Sequence, residues 1–204
     1  MKLENEGLLY KKELIGLPTN VYFVRHAHST YTPDEMGRPL SNKGFADAKI
    51  VTELLKNEGI DVVYSSPYKR AIQTVDGIAN YLNREVQIIE GFKERKLAEK
   101  PVADFEMAIT KVWQDFTYSW PGGESNLVAQ RRGVAATLQV LDHHQGENVV
   151  IGTHGNIMVL IMNYFDKKYG FDFWGTLSMP DIYKLSFRDG KLIAVQRKWQ
   201  DIKE

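Results

Sequence analysis

The apolar positions of this chain alternate between short continuous runs and longer periodic stretches. Short runs rich in β-branched and aromatic residues are typical of buried strands, and they occur at 20–25, 61–64, 86–89 and 148–152. Longer amphipathic stretches separate them and predict helices, at 41–57, 68–82, 124–143 and from Gly155 onward. This alternation predicts an α/β fold, a three-layer sandwich with a mostly parallel central sheet and helices on both faces.

Local signals set several boundaries of these elements. Ser41 precedes the first amphipathic stretch as a helix start, and Gly59 follows it as a stop. Near the C-terminus, Ile182–Phe187 and Leu192–Gln196 predict a hairpin turned by Arg188-Asp189-Gly190. We expect one domain over residues 1–204, with its core at about 20–197, because no linker or repeat interrupts the pattern.

An ionisable group follows each of the four short apolar runs. These groups are Arg25 with His26, Arg70, Glu94 and His154. Ligands of open α/β sheets bind outside the carboxyl ends of the strands. The sequence therefore predicts that these side chains converge on one site.

Five motifs, taken together and in this order, resemble the histidine phosphatase superfamily, whose fold also holds the cofactor-dependent phosphoglycerate mutases. They span roughly residues 20 to 190, and they are Arg25-His26-Ala27, Ser65 to Thr74, Phe92-Lys93-Glu94, Gly123-Glu124-Ser125 with Arg132, and Thr153-His154-Gly155. The resemblance implies a phosphatase of small phosphomonoesters that needs neither a cofactor nor a metal. The runner-up interpretation is mutase-type phosphoryl transfer.

The resemblance also implies a role for each matched side chain. His26 is the nucleophile that forms a phosphohistidine, which splits hydrolysis into two easier steps. Arg25 and Arg70 hold the phosphate through forked, permanently charged donors, and His154 stabilises the transferring oxygens. Glu94 protonates the leaving oxygen and later activates water. His26 needs a neutral ring nitrogen, so we expect its other nitrogen to donate to a carbonyl.

The phosphate contacts are completed by Ser29, Thr32 and Gly155, although the chain departs from the family around them. Ala27 replaces a common glycine, and Thr32 stands where many members carry an asparagine. The Gly-x-Trp-x-Gly that often follows the acid is absent, and Arg95-Lys96-Leu97-Ala98 stands there instead. These departures concern the pocket wall more than the reaction centre.

Two alternatives concern the titratable residues. Glu90 lies four residues before Glu94 and is a second candidate for the acid. His26-x-His28 could chelate a metal, but a metal site needs further ligands at suitable places, and no second compact pair occurs.

We assign residues 95–123 as the segment that covers the substrate. Its aromatic residues, among them Trp113 and Phe116, either pack in the core or line a lid. Tyr31, Met36, Arg38 and Lys93 are further candidates for the pocket. The mutases carry a much longer insertion after the acid, and this shorter cover favours entry of water and hydrolysis.

The composition argues against several kinds of partner, catalytic site and targeting segment. Twenty-six basic residues balance 26 acidic ones, so charge gives no reason to expect a nucleic acid or membrane partner. The absence of cysteine excludes a disulfide framework and a cysteine-dependent phosphatase. Met1 to Leu17 lacks the apolar core of a signal peptide, and no stretch approaches the roughly 20 apolar residues of a membrane span. We expect a cytoplasmic enzyme, leave a homodimer open, and keep a non-catalytic regulator that binds phosphorylated ligands as a third interpretation.

Overall fold

A computed structural model describes residues 16–200, which form a six-stranded sheet with helices on both faces. The strands are β1 (Thr19–Arg25), β2 (Val62–Ser65), β3 (Gln87–Ile88), β4 (Asn148–Thr153), β5 (Asp181–Arg188) and β6 (Lys191–Arg197). The helices are α1 (Asn42–Leu55), α2 (Lys69–Tyr81), α3 (Phe105–Gln114), α4 (Asn126–His143), α5 (Gly155–Phe165) and α6 (Phe171–Gly175), with a 3₁₀ turn at Glu90–Phe92. The prediction that the N-terminus is not a signal peptide concerns residues 1–15, which lie outside the described residues.

The strand order is β3-β2-β4-β1-β5-β6, and the first four strands are mutually parallel. The last two form the antiparallel hairpin expected at the C-terminus, and β5 also runs antiparallel to β1. In the register of the central strands, Gly152 pairs with Val24 on one side and with Ser65 on the other. The carboxyl ends of β1, β2 and β4 therefore meet at one edge of the sheet.

Successive residues of β1 point into two separate cores, which explains the continuous apolar run. Tyr22 and Val24 face α1 and α2, where they join a core with Val51 and Ile78. Val21 and Phe23 face the opposite core, which α3, α4 and α5 cover. A strand buried on both faces has no polar alternation. The single-domain, three-layer α/β fold predicted from the pattern is confirmed.

Several local boundaries follow the expected chemistry. The Ser41 hydroxyl accepts a hydrogen bond from the backbone N–H of Gly44 and caps α1. Gly59, with φ at +62°, lies just beyond that helix. Asp189 and Gly190 turn the hairpin with φ of 49° and 70°, the left-handed values that such a turn requires.

The structure also differs from the sequence pattern in three elements. The strand expected at 86–89 contains only Gln87–Ile88, both exposed at the sheet edge. The cover segment contains α3, which Asp104 caps by accepting from the N–H of Met107. The short helix α6 was not predicted, because its five residues are too few to show a helical period. None of the helices within residues 16–200 is long and apolar enough to cross a membrane.

Candidate active site

Two histidines lie side by side where neighbouring parallel strands end. His26 follows β1 and His154 follows β4, and their rings are 5.2 Å apart at 64°. The backbone N–H of His26 donates to the carbonyl of Thr153 at 2.9 Å, so the sheet register itself holds the pair together. His26 is 8% exposed and His154 is fully buried.

The ring of His26 is fixed in one tautomer. Its Nδ1 lies 2.8 Å from the carbonyl oxygen of Ala27, and because a carbonyl only accepts, Nδ1 carries the hydrogen. Burial, followed by the positive charge of Arg70, lowers the pKa of His26 to about 3, and Arg25 and Arg38 act in the same direction. The ring is therefore neutral near pH 7, and Nε2 keeps its lone pair.

His154 is held by the residues that follow β2. Its Nε2 lies 2.7 Å from the hydroxyl of Ser66, and its ring packs edge-on against Tyr68 at 4.8 Å. Burial is the main cause that lowers the pKa of His154 well below its usual value, and the neighbouring His26 and arginines add to it. Both imidazoles are thus neutral in a strongly positive surrounding.

Arg25 is anchored by the segment that precedes β5. Its Nη1 donates to the carbonyls of Leu177 and Ser178, at 3.0 and 3.1 Å. A Cβ atom on Gly155 would lie 3.2 Å from Arg25 Nε and 3.3 Å from Trp174 Nε1. Only glycine therefore allows the start of α5 to approach Arg25 this closely without displacement.

Arg70 is the second residue of α2, and its side chain is only 4% exposed. Its guanidinium donates from Nη1 to the carbonyl oxygen of Glu35 at 2.8 Å and from Nη2 to the Glu35 carboxylate at 2.9 Å. The guanidinium also lies over the Tyr68 ring, 4.7 Å from its centre. The loop after β1 therefore meets the beginning of α2 at this arginine.

The carboxylate of Glu94 bridges two segments of the site. Oε1 accepts from the N–H groups of Arg95 and Ile157, and Oε2 accepts from Asn156, at 2.8 to 3.2 Å. Glu94 therefore sits at the N-terminus of α5, where backbone N–H groups without partners inside the helix hold its side chain in place.

Glu90, the second candidate for the acid, points elsewhere. Its side chain is 69% exposed, and its carboxylate lies 3.9 Å from Lys93 Nζ. Glu94 lies in the cleft and acts electrostatically on Arg25 and Arg70, whereas no such influence of Glu90 is seen within residues 16–200. The placement of the two carboxylates favours Glu94.

The Gly-Glu-Ser motif and Arg132 support the segment that leads to Glu94. Arg132 forms a two-pronged ion pair with Glu124, at 3.0 and 2.7 Å. Its remaining nitrogen, Nη1, donates to the carbonyls of Gly91 and Lys93. This fork fixes the backbone immediately before Glu94.

A cleft of about 740 Å³ opens beside Glu94 and Tyr68. Its walls come from the loop after β1 and from the segment after Glu94, and its lining includes Tyr31, Glu35, Arg38, Tyr68, Glu94–Val102 and Phe105. Of the pocket candidates, Tyr31 and Arg38 thus lie on the cleft, and the Arg38 guanidinium stacks 4.8 Å from the Tyr31 ring centre.

The structure places the other pocket candidates elsewhere. Trp113 and Phe116 pack in and against the core under α4 and α5, where Trp113 Nε1 donates to Asn156 Oδ1. Lys93 extends toward Glu90, and Met36 is exposed, its carbonyl accepting from the N–H of Lys69. None of these four is part of the cleft lining.

Ser29 and Thr32, which were proposed to contact the phosphate, lie in the loop after β1 and are held by local hydrogen bonds. The hydroxyl of Thr32 donates to the carbonyl of Asp34, and Ser29 forms a backbone bridge with Leu40. His28 is exposed and bonds through Nδ1 to Ser41 Oγ. Within residues 16–200 no group of three or more histidine, cysteine or acidic side chains is placed to hold a metal ion.

Three contacts of the site were not predicted as site residues from the sequence. Ser66 holds His154, and the Thr74 hydroxyl accepts from the N–H of Ala27 at 3.0 Å. Glu35 holds Arg70. Ser66 and Thr74 belong to the matched motif, which was the available signal, but Glu35 lies in a loop that the motifs do not cover.

A sequence model described as histidine phosphatase superfamily (branch 1) matches residues 21–200, nearly the whole described chain. The chain belongs to this superfamily. The family resemblance and the phosphatase class expected from the motifs are therefore confirmed.

Curated relatives are named both as phosphatases and as a mutase-like protein. Phosphoserine phosphatase 1 of Hydrogenobacter thermophilus is 32% identical over 149 residues, 64% of this chain and 68% of the relative. Phosphoglycerate mutase-like protein 4 of Arabidopsis thaliana is 26% identical over 158 residues, 68% of this chain and 67% of the relative.

Solved structures share the fold. The phosphoserine phosphatase of Entamoeba histolytica, solved as a mutant in complex with phosphoserine, superposes with a TM-score of 0.73 at 20% identity over 88% of this chain and 96% of that one. A mycobacterial glucosyl-3-phosphoglycerate phosphatase gives 0.72 at 17% identity, over 88% and 97%.

Proposed function

We propose that this protein hydrolyses small phosphorylated metabolites through a phosphohistidine formed at His26. The observation that carries the proposal is the state of His26: its Nδ1–H is held by a carbonyl, its Nε2 is unprotonated, and three arginines raise the local positive potential. A neutral nitrogen beside fixed cations is suited to attack phosphorus in an anionic ester.

In the first step, Nε2 of His26 forms a bond to phosphorus while the bond between phosphorus and the ester oxygen breaks. The leaving oxygen takes a proton from the carboxyl group of Glu94 and departs as an alcohol. In the second step, Glu94 accepts a proton from water, whose oxygen attacks phosphorus and releases His26 and inorganic phosphate. One carboxyl group thus serves as acid and then as base.

The cationic side chains bind the phosphoryl group and spread its charge. Arg25 and Arg70, which are anchored on different segments of the site, supply forked donors that suit the equatorial oxygens of a phosphoryl group in transfer. His154, held by Ser66, contributes a neutral donor, and the N–H of Gly155, the first residue of α5, is a further candidate donor to the same oxygens. Ser29 and Thr32 remain candidates for further hydroxyl contacts.

The substrate class follows from the cleft and from the names of similar proteins. The cleft of about 740 Å³ accommodates the organic part of a metabolite. Similar proteins are named for phosphoserine and for glucosyl-3-phosphoglycerate, both small phosphate esters. The segment after Glu94 contains one ten-residue helix, and the cleft residues Tyr31 and Phe105 are mostly exposed. Water therefore reaches the cleft, which supports hydrolysis over transfer to a second substrate.

The test is phosphate release from a panel of phosphomonoesters in the presence of EDTA, with wild type beside His26→Ala and His28→Ala. We expect metal-independent turnover that His26→Ala abolishes and that His28→Ala retains, since His28 is a histidine of the same loop that bonds to Ser41 instead. Turnover that survives the loss of His26, or that requires a metal, would contradict the proposal. Conversion of 3-phosphoglycerate to its isomer without phosphate release would favour the mutase interpretation.

A further inference from the structure

The carboxylate of Glu35 joins two arginines at the mouth of the candidate active site. Oε1 accepts from Arg70 Nη2 at 2.9 Å, and Oε2 pairs with Arg38 Nη2. Both arginines act electrostatically on His26 and lower its pKa. Glu35 therefore occupies donors that belong to the positive surrounding of the proposed nucleophile.

The loop that carries Glu35 is fixed independently of this carboxylate. The N–H of Gly37 donates to Asp34 Oδ1 at 3.0 Å, and the N–H of Lys69 donates to the carbonyl of Met36 at 2.9 Å. The backbone carbonyl of Glu35 separately receives Arg70 Nη1 at 2.8 Å. Arg70 thus keeps one anchor on this loop even if the side chain of residue 35 changes.

The side chain of Glu35 differs in burial from the arginine it binds. The Arg70 side chain is 4% exposed, so its position is determined by packing, whereas the Glu35 side chain is 53% exposed and lines the cleft. A carboxylate presents two oxygens to a guanidinium much as a phosphate does. The exposed partner can swing into solvent, and the buried arginine cannot follow it.

We propose that Glu35 is an internal competitor for the phosphoryl group: its carboxylate holds the Arg70 donor that substrate and product need, and phosphate binds by displacing it. The inference rests on the proposed function, because it takes Arg70 as a phosphate ligand. Because substrate and product must both displace the Glu35 carboxylate, the competition weakens the binding of both to a similar degree. It therefore raises KM and the inhibition constant of inorganic phosphate while leaving kcat nearly unchanged.

The competing explanation makes Glu35 a positioning residue that holds Arg70 ready for phosphate. The two explanations predict opposite changes in phosphate affinity when the charge of Glu35 is removed. Removing a competitor tightens phosphate binding, whereas removing a support loosens it. The neutral amide of Glu35→Gln keeps the size of the side chain and the backbone anchor of Arg70, so it isolates the charge.

The experiment is a calorimetric titration of inorganic phosphate into wild type, Glu35→Gln and Glu99→Gln, with the phosphate inhibition constant measured in parallel. Glu99 is the matched control, because it lines the same cleft and forms no ion pair with an arginine within the described chain. Thermal unfolding of each variant verifies that it is folded.

We expect Glu35→Gln to bind phosphate about five- to tenfold more tightly, as for a partly exposed charge pair. Glu99→Gln should shift the affinity by less than about twofold, since it removes only a screened charge. Unchanged or weaker phosphate binding by Glu35→Gln would overturn the inference, and so would an equal gain in Glu99→Gln.

Binding and turnover separate this inference from the proposed function. A protein that binds phosphate more tightly without Glu35 but hydrolyses no ester supports the competitor and refutes the phosphatase. A protein that hydrolyses esters with unaltered phosphate affinity in Glu35→Gln does the reverse. Absence of phosphate binding in all three proteins would overturn both.

Discussion

The end of the sheet and the wall of the cleft are built by different means. At the sheet end, strand register and backbone bonds fix His26 and His154, and both rings are buried. At the cleft wall, Tyr31 projects from the loop after β1 and Phe105 from the start of α3, and both side chains are mostly exposed. The sheet end is preorganised for one reaction, and the wall is free to vary with the substrate.

This contrast predicts that changes at the sheet end reduce the rate of the chemical step, whereas changes at the wall alter substrate binding. The variants below test the contrast, from the largest expected effect to the smallest.

Replacing Glu94 by glutamine should cause the largest loss. The amide cannot give a proton to the leaving oxygen, so we expect kcat to fall about 10²- to 10⁴-fold, the range of general acid catalysis. Steady-state phosphate release from an alkyl phosphate measures it, and an aryl phosphate with a more acidic leaving group should lose less.

Glu90→Gln is the control for this prediction. Glu90 is exposed and four residues away, so its variant should retain kcat within about twofold. Equal losses in both variants would mean that neither carboxylate has the specific role assigned to Glu94.

Substituting alanine at Gly155 tests the precision of the sheet end. The new Cβ would lie 3.2 Å from Arg25 Nε, so the guanidinium or the start of α5 must shift. We expect kcat/KM to fall about tenfold, because small displacements of positioning groups are costly. Gly175→Ala is the matched control, since nothing lies within 4 Å of its added Cβ.

The pH dependence of stability tests the burial of His26. Its pKa falls from 6.5 to about 3, mainly because burial disfavours the charged ring. The folded state therefore gains stability from neutral His26 above pH 6.5 and loses that gain as the pH falls toward 3. Denaturant unfolding of wild type and His26→Asn at pH 7 and pH 4 should show a steeper loss in wild type, and parallel losses would contradict this account.

The smallest effect is expected at the cleft wall. Tyr31→Ala removes an aromatic ring that is 77% exposed and stacks with Arg38. We predict a rise in KM of about threefold for esters with a bulky organic group and little change in kcat, since only an exposed contact is lost. A large fall in kcat would place Tyr31 with the sheet end instead.

The sequence pattern predicted the parts of the molecule that depend on short-range order. Runs such as Val21–Val24 are buried on both faces of the sheet. The groups that react follow the ends of such strands, so the place of a residue after its strand largely determines whether it belongs to the site. The sequence predicted that one ring nitrogen of His26 donates to a carbonyl, and in the structure Nδ1 does so, to the carbonyl of Ala27.

The wall of the cleft could not be predicted in the same way. Whether Trp113 lines a lid or packs in the core depends on α5, whose Asn156 accepts its indole N–H. Glu35 reaches Arg70 across 35 positions of the sequence, and no periodicity encodes that contact. Residues whose partners lie on other elements need the fold before their role can be inferred.

The central claim is that His26 carries the phosphoryl group, and trapping the intermediate tests it most directly. Wild type, His26→Ala and His28→Ala would be mixed with a phosphate ester, quenched within the first turnover in denaturant at alkaline pH, and measured by intact mass. We predict one base-stable, acid-labile phosphoryl group on wild type and on His28→Ala, and none on His26→Ala. A phosphoryl group on His26→Ala, or one mapped to another residue of the wild type, would contradict the account.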